Sequence, residues 1–123
     1  MARSVIERLR ELCLSRPDAW EKVSHGEPTF WVRKRMFASF ADAANHHGAG
    51  RHAVWCRCDH TSQAMLVDRA PDRYFVPPYV GPSGWIGVYL DRRPDWREVG
   101  DRIAHAHDLA LAAGRSSRDA RRR

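Results

Sequence analysis

The residues in this chain best suited to bind a metal are histidines and cysteines gathered in one short stretch. Six of them lie within 15 residues: His46, His47, His52, Cys56, Cys58 and His60. Zinc accepts both residue types as ligands. However, the C-x-C spacing differs from the C-x-x-C of zinc knuckles. In addition, Val54 would share one strand face with the two cysteines, which favours buried and unreactive thiols. We therefore predict no metal site and no cofactor.

Sequence patterns typical of enzymes are missing from the chain. There is no G-x-S-x-G motif, no glycine-rich phosphate loop and no H-E-x-x-H motif. Cys13 falls on the apolar face of a predicted helix, so we expect it to serve packing. Asp72, Asp91 and Asp95 fall where turns or helix caps are expected. The sequence therefore predicts a protein that is not an enzyme.

Two short basic runs, Arg33-Lys34-Arg35 and Arg92-Arg93, could contact nucleic-acid phosphates. Such contacts bind the backbone without reading its sequence, and they weaken as salt rises. The alternative is that charged hairpin tips only keep a small protein soluble. The net charge of +6 does not decide between these two interpretations, because residues 111–123 alone carry five arginines and one aspartate. The rest of the chain is nearly balanced.

Aromatic residues, prolines and glycines are concentrated between Pro71 and Asp91. The rings in this segment could stack on the bases of a single strand or contact a protein partner; they are Tyr74, Phe75, Tyr79 and Trp85. The alternative is that they fill the core while Pro77-Pro78 blocks further strand pairing. We favour the core for Phe75 and Trp85. Tyr79 is the best candidate for an exposed ring.

Helices and strands must position these residues, and periodicity predicts their order along the chain. Helices are predicted over 3–14, 61–69 and 95–113, and strands over 20–25, 29–32, 36–40, 52–58 and 84–90. Either Asp59 or Thr61 could cap the second helix, and Gly114 should end the last. We expect one domain over residues 1–113 and a disordered arginine-rich tail over 114–123. Consecutive strands and two long amphipathic helices predict an α+β two-layer sandwich, with an antiparallel sheet covered on one face.

Several short motifs together resemble the MmcQ/YjbR family of small bacterial proteins. They are Gly26-x-Pro28-Thr29-Phe30, Phe37-Ala38, Pro71-Asp72-Arg73-Tyr74-Phe75, Pro77-Pro78-Tyr79-Val80-Gly81, Gly84-Trp85, Leu90-Asp91, Asp95-Trp96 and the stretch 104–109. The resemblance covers residues 3–112 and leaves out the arginine tail. It implies the CyaY-like fold. It also implies DNA binding through a double-wing arrangement of hairpins.

These observations predict a non-enzymatic binding module that grips DNA backbone without sequence preference. The residues expected to contact phosphates are Arg33, Lys34, Arg35, Arg92 and Arg93. The alternative function is a protein-interaction adaptor that uses the surface of residues 74–85. No stretch approaches the ~20 apolar residues of a membrane span, and the chain starts without a signal-peptide core. The odd cysteine count fits reduced thiols, so we expect a cytoplasmic monomer with no membrane contact.

Overall fold

The computed structural model describes residues 3–44 and 50–122, which contain three α-helices, a short 3-10 helix (Gly81–Ser83) and six strands. In chain order the α-helices and strands are α1 (Val5–Leu14), β1 (Ala19–Ser24), β2 (Glu27–Val32), β3 (Arg35–Ala41), β4 (Ala53–Cys56), α2 (His60–Arg69), β5 (Tyr74–Phe75), β6 (Ile86–Tyr89) and α3 (Trp96–Arg122). The predicted α+β class is confirmed. Residues 45–49, between β3 and β4, lie outside the described residues.

Polar side chains at the helix starts explain where the helices begin. Ser4 and Glu7 form a reciprocal capping box at α1, each side chain accepting from the other residue's backbone N–H at 3.2 Å. Of the two predicted caps of α2, Asp59 is the one used, and its carboxylate accepts from the Ser62 N–H at 2.8 Å. Asp95 accepts from a backbone N–H in the first turn of α3. Each cap satisfies a donor that the helix cannot pair internally.

All neighbouring strands are antiparallel, in the order β1-β2-β3-β4-β6-β5. The turn between β1 and β2 consists of His25 and Gly26, with φ of 53° and 79°. Two left-handed residues suit the right-handed twist of a tight hairpin. Glu27 and Pro28, which follow this turn, already belong to β2.

One face of the sheet packs against α1 and α3 and forms the main core. Its members are apolar side chains that alternate along the strands or recur along the helices, including Leu9, Cys13, Phe30, Phe37, Val54, Cys56, Ile86, Val88, Ile103 and Ala106. α3 lies mainly over β3. The predicted two-layer arrangement is thus confirmed.

The opposite face of the sheet, called the open face below, is partly covered by residues 76–85. This segment packs Trp85 against Trp55, and both side chains are buried there. The Gln63 amide on α2 fixes the segment by donating to the carbonyl oxygens of Gly81 and Trp85, at 2.9 and 2.6 Å. Phe75 and Tyr89 also lie on this face. Side chains of β1, β2 and β3 form the part of it that lies nearer the β1 edge.

The last helix is longer than the sequence predicts. α3 continues through Gly114 to Arg122, so the predicted helix end at Gly114 is wrong. The predicted disorder of the tail stays a prediction. Gly114 does not take the left-handed conformation of a helix cap. A glycine inside a helix costs only ~1 kcal/mol, and the arginines and alanine that follow favour helix. The side chains beyond Arg115 lie outside the described residues.

Candidate functional site

The basic run Arg33-Lys34-Arg35 forms the tip of the β2–β3 hairpin, as predicted. Val32 pairs with Arg35, which leaves Arg33 and Lys34 as the two turn residues. Arg33 has a φ of 55°. The Trp20 indole N–H donates to the Arg33 carbonyl oxygen at 2.9 Å, so the neighbouring strand β1 fixes the turn. The hairpin therefore presents its cations from an ordered backbone.

The second basic run, Arg92-Arg93, lies at the other end of the sheet. β4 runs towards the β2–β3 tip, and β6 is antiparallel to β4, so the residues that follow β6 leave at the far end. β3 has seven residues. At ~3.3 Å per residue this separates the two ends by ~20 Å. The structure thus does not bring the five predicted phosphate ligands together.

Two arginines that the sequence analysis did not select join the hairpin tip. Arg57 follows β4 and donates through Nε to the Met36 carbonyl oxygen at 2.7 Å. On α3, a Cβ placed on Gly114 would lie 3.7 Å from Arg35 Nε, so α3 passes this end of the sheet, and Arg115 is the next residue along it. We call this cluster the basic end: Arg33, Lys34, Arg35, Arg57 and Arg115.

The basic end carries excess positive charge. No ion pair joins any of its five side chains to a carboxylate among the residues that the structure describes. Asp18, just before the start of β1, contributes one nearby negative charge. Burial lowers the pKa of Arg57, and the positive charge of Arg35 lowers it further. Two guanidinium groups thus repel each other here.

Acidic partners surround the other basic run, in contrast. Arg92 and Arg93, each with a φ of 58°, border a small pocket of ≈ 190 Å³. Four acidic and two further basic side chains line it: Asp72, Asp91, Asp95, Glu98, Arg51 and Arg73. The Arg51 guanidinium donates two hydrogen bonds, of 2.7 and 2.8 Å, to the Asp91 carboxylate, and these lower the pKa of Asp91. Charge at this end is balanced.

A pair of stacked tryptophans lies on the open face beside the basic end. Trp20 and Trp31 are cross-strand partners whose ring centroids are 5.5 Å apart and whose planes differ by 21°. The Lys22 ammonium stands 4.2 Å from the Trp31 ring centroid. Trp20 remains 40% exposed. Sequence reasoning missed this site. Alternation places Trp20 and Lys22 on one face of β1 and Glu21 on the other, but only the structure shows that Glu21 faces α1, where it pairs with Arg10.

The aromatic residues of the 74–85 segment have different surroundings. Tyr74 is buried in the main core, and its hydroxyl donates to Glu98. Trp85 is buried on the open face, as predicted, and Phe75 is half-buried there against Tyr89. Tyr79 is 72% exposed, so the prediction for its ring is confirmed. It borders a pocket of ≈ 400 Å³ between this segment and the β1–β2 hairpin.

The histidine and cysteine group does not come together as one site among the described residues. His46 and His47 lie outside them. Cys56 is fully buried in the core, and burial raises the pKa of its thiol to about 12. The His52 ring accepts from the Ala43 N–H, and the His60 ring contacts the Pro82 carbonyl oxygen at 2.8 Å. These contacts give the described members separate structural roles.

A different trio, Cys58, Asp59 and His105, places possible ligand atoms within 4.8 Å of one another. Burial raises the pKa of the Cys58 thiol, which keeps it protonated near neutral pH. Both carboxylate oxygens of Asp59 already accept hydrogen bonds from Ser62, at 2.8 and 2.9 Å. These contacts favour a helix cap over a metal centre.

Comparison with known proteins gives a family match and a fold match. The model of the YjbR family matches residues 14–109. The chain is also similar to the crystal structure of the Deinococcus radiodurans protein DR2400, which has a DUF419 domain, with a TM-score of 0.74 and 18% identity over 89% of this chain and 80% of that one. At this identity the likeness concerns the fold. No curated protein matches the chain. Among the described residues, no helix has the length and apolar character needed to cross a membrane.

Proposed function

The chain belongs to the YjbR family, and we propose that it is a non-enzymatic DNA-binding module that contacts phosphates through its basic end. The observation that carries the proposal is the gathering of five cationic side chains that make no ion pair with a carboxylate among the described residues. Membership of the family names no ligand by itself. The proposal therefore rests on this local charge and its geometry.

Repulsion inside the basic end favours a bound anion. Arg57 is partly desolvated and lies near Arg35, which lowers its pKa. A phosphate between such groups would offset their repulsion, and guanidinium groups match phosphate oxygens with two parallel hydrogen bonds. Contacts of this kind go to the backbone of DNA and carry no sequence information. Binding should therefore be non-specific and sensitive to salt.

The proposed site is narrower than the set selected from the sequence. Arg92 and Arg93 lie ~20 Å away, at the strand rise of ~3.3 Å per residue, and beside Asp91 and Asp95. A phosphate at that end would meet negative charge as well as positive. We accordingly place the phosphate contacts at the basic end and none at Arg92-Arg93.

A matched pair of double variants tests this placement. Arg33→Ala/Lys34→Ala and Arg92→Ala/Arg93→Ala each remove two exposed cations, from opposite ends of the same sheet. Binding to a labelled 20-base-pair duplex is measured by fluorescence anisotropy at several salt concentrations between 50 and 200 mM. Each lost phosphate contact should lower the slope of log affinity against log salt by ~1. We expect a loss of ~1–2 in slope for the first variant, and the wild-type slope for the second.

The outcome also separates the basic end from the arginine tail. Both double variants keep every arginine after Arg115, so the tail cannot produce a difference between them. Equal losses in the two variants would show that only net charge matters and that the basic end is not the site. Wild-type protein that binds no duplex at 50 mM salt would end the proposal altogether.

A protein-interaction adaptor remains the second candidate function, because Tyr79 is 72% exposed at the edge of the ≈ 400 Å³ pocket. Exposed tyrosines beside pockets are typical anchors of protein interfaces. If this function is correct, the wild-type protein captures a partner from nuclease-treated extract in a pull-down, and Tyr79→Ala does not. The same substitution leaves duplex binding unchanged. Loss of duplex binding in the same variant would contradict it.

A further inference from the structure

The tryptophan pair on the open face is already ordered before any ligand arrives. The Trp20 indole N–H donates to the Arg33 carbonyl oxygen at 2.9 Å, and the Trp31 indole N–H donates to Thr29 Oγ1 at 2.8 Å. Both polar atoms are therefore satisfied within the protein. Since the rings are already fixed, the protein loses little additional side-chain entropy when a ligand stacks on them.

The pair also lies next to cations that can hold a phosphate backbone. Trp20 bonds directly to the turn that carries Arg33 and Lys34. Lys22, on the same face of β1, places its ammonium 4.2 Å from the Trp31 ring centroid and 5.9 Å from that of Trp20. A flat aromatic surface with positive charge on two sides complements a nucleic-acid strand, whose bases stack and whose phosphates are negative.

From this arrangement we infer that the protein binds single-stranded DNA in preference to duplex, with a base stacked on the exposed face of Trp20. The inference rests on the proposed function, since the basic end supplies the phosphate contacts. In a duplex the bases already stack on one another, so Trp20 gains nothing from it. An unpaired strand can turn a base outward onto the ring while its backbone follows Lys22 and the β2–β3 turn.

Substitutions on β1 test the stacking contact in the full chain. Trp20→Ala removes the ring, and Trp20→Phe keeps an aromatic face. Val23→Ala is the matched control, because Val23 is 70% exposed on the same edge strand and faces the other side of the sheet. The labelled probes are a 15-nucleotide oligothymidylate, a duplex of the same length and a 15-nucleotide oligouridylate. Thermal unfolding of each variant checks that it folds.

The expected result is a selective loss. Trp20→Ala and Trp20→Phe both lose the indole N–H that donates to the Arg33 carbonyl oxygen, so the two variants are compared with each other. Relative to Trp20→Phe, Trp20→Ala should weaken oligothymidylate binding by about 5- to 150-fold, the factor that matches ~1–3 kcal/mol per stacked base, and change duplex binding by less than about 2-fold. Trp20→Phe should retain most of the affinity, and Val23→Ala should match wild type. Tryptophan fluorescence should be quenched by the oligonucleotide in wild type, and less so in Trp20→Phe.

Three results would overturn the inference, and they differ from a failure of the proposed function. Folded Trp20→Ala that binds oligothymidylate like wild type would remove the stacking contact. Wild-type protein that binds duplex at least as tightly as the single strand would remove the preference. Tighter binding of oligouridylate would overturn the choice of DNA over RNA. If wild type binds none of the probes, the phosphate site itself is wrong.

Discussion

Replacing Gly87 by alanine should destabilise the protein, because the ring of Phe75 lies directly on this glycine. The two residues are cross-strand partners in the β5–β6 pair. A Cβ on Gly87 would lie 2.3–2.5 Å from three ring atoms of Phe75, far inside van der Waals contact. Phe75 is also stacked on Tyr89, with ring centroids 4.6 Å apart, so it cannot move without giving up that contact. The short edge strand β5 would be displaced with it.

The size of the effect follows from overpacking. An added methyl group in a closely packed site costs ~1–3 kcal/mol. For a domain of this size, each kcal/mol lowers the melting temperature by ~4 °C, so we expect a decrease of about 4–12 °C. Gly100→Ala makes the same chemical change on α3, where the nearest atom, Leu12 Cδ2, is at an ordinary 3.6 Å. It should raise the melting temperature by ~4 °C, because alanine is favoured over glycine in a helix by ~1 kcal/mol.

Thermal unfolding followed by circular dichroism checks both variants. A double-mutant cycle with Phe75→Ala isolates the contact, since Gly87→Ala should cost little once the ring has gone. Two results would contradict this reasoning. Gly87→Ala could melt at or above the wild-type temperature, or it could lower the free energy of unfolding as much without the Phe75 ring as with it. In either case, overlap between the added methyl group and the ring is not the cause of any destabilisation.

Three further predictions concern single side chains. Asp59→Ala should lower the free energy of unfolding by ~1 kcal/mol at pH 7 through loss of the α2 cap. Hydrogen bonds from Ser62 lower the pKa of Asp59, so its contribution is complete above its unfolded pKa and is lost as pH falls through the lower folded value. The difference between urea melts of the two proteins should therefore shrink as the pH is lowered below the unfolded pKa. Arg51→Lys keeps the positive charge but loses the bidentate contact to the Asp91 carboxylate. Urea melts should show that the free energy of unfolding falls by ~1 kcal/mol. Burial raises the pKa of Cys13 and Cys56, so a disulfide reagent at pH 8 should leave both unmodified until denaturant is added.

Local signals in the sequence were sufficient for most of the fold. Alternation predicted the strand that buries Val54 and Cys56, and polar residues before an apolar run gave two candidate caps, of which the structure uses Asp59. Two features could not be predicted, since neither has a local pattern. β5 has only the two residues Tyr74 and Phe75 and exists because β6 offers an open edge. The helix continues through Gly114 because the surrounding residues outweigh one unfavourable position.

The sequence predicted those cations of the candidate site that are neighbours along the chain. It could not predict those that only the tertiary structure brings to the same end of the sheet. Arg33 and Lys34 are adjacent in sequence and lie in a turn, so their shared position was predicted correctly. Arg57 and Arg115 reach the same end through β4 and α3, which only the tertiary structure reveals. Trp20 was placed in a predicted strand without a role, because alternation does not say which face the helices cover.

The separation of the two basic turns shows why hairpin charge alone does not define a double-wing surface. Strands joined by tight turns reverse direction each time, so successive turns lie at alternate ends of the sheet. This rule does not apply across α2, because a helical connection can return the chain to either end of the sheet. Here β6 pairs antiparallel to β4, which sends Arg92 and Arg93 to the end opposite Arg33 and Lys34. A rigid module of this shape could grip one backbone through its basic end, whereas a contact through both turns would have to span the whole sheet. The matched double variants measure that difference directly.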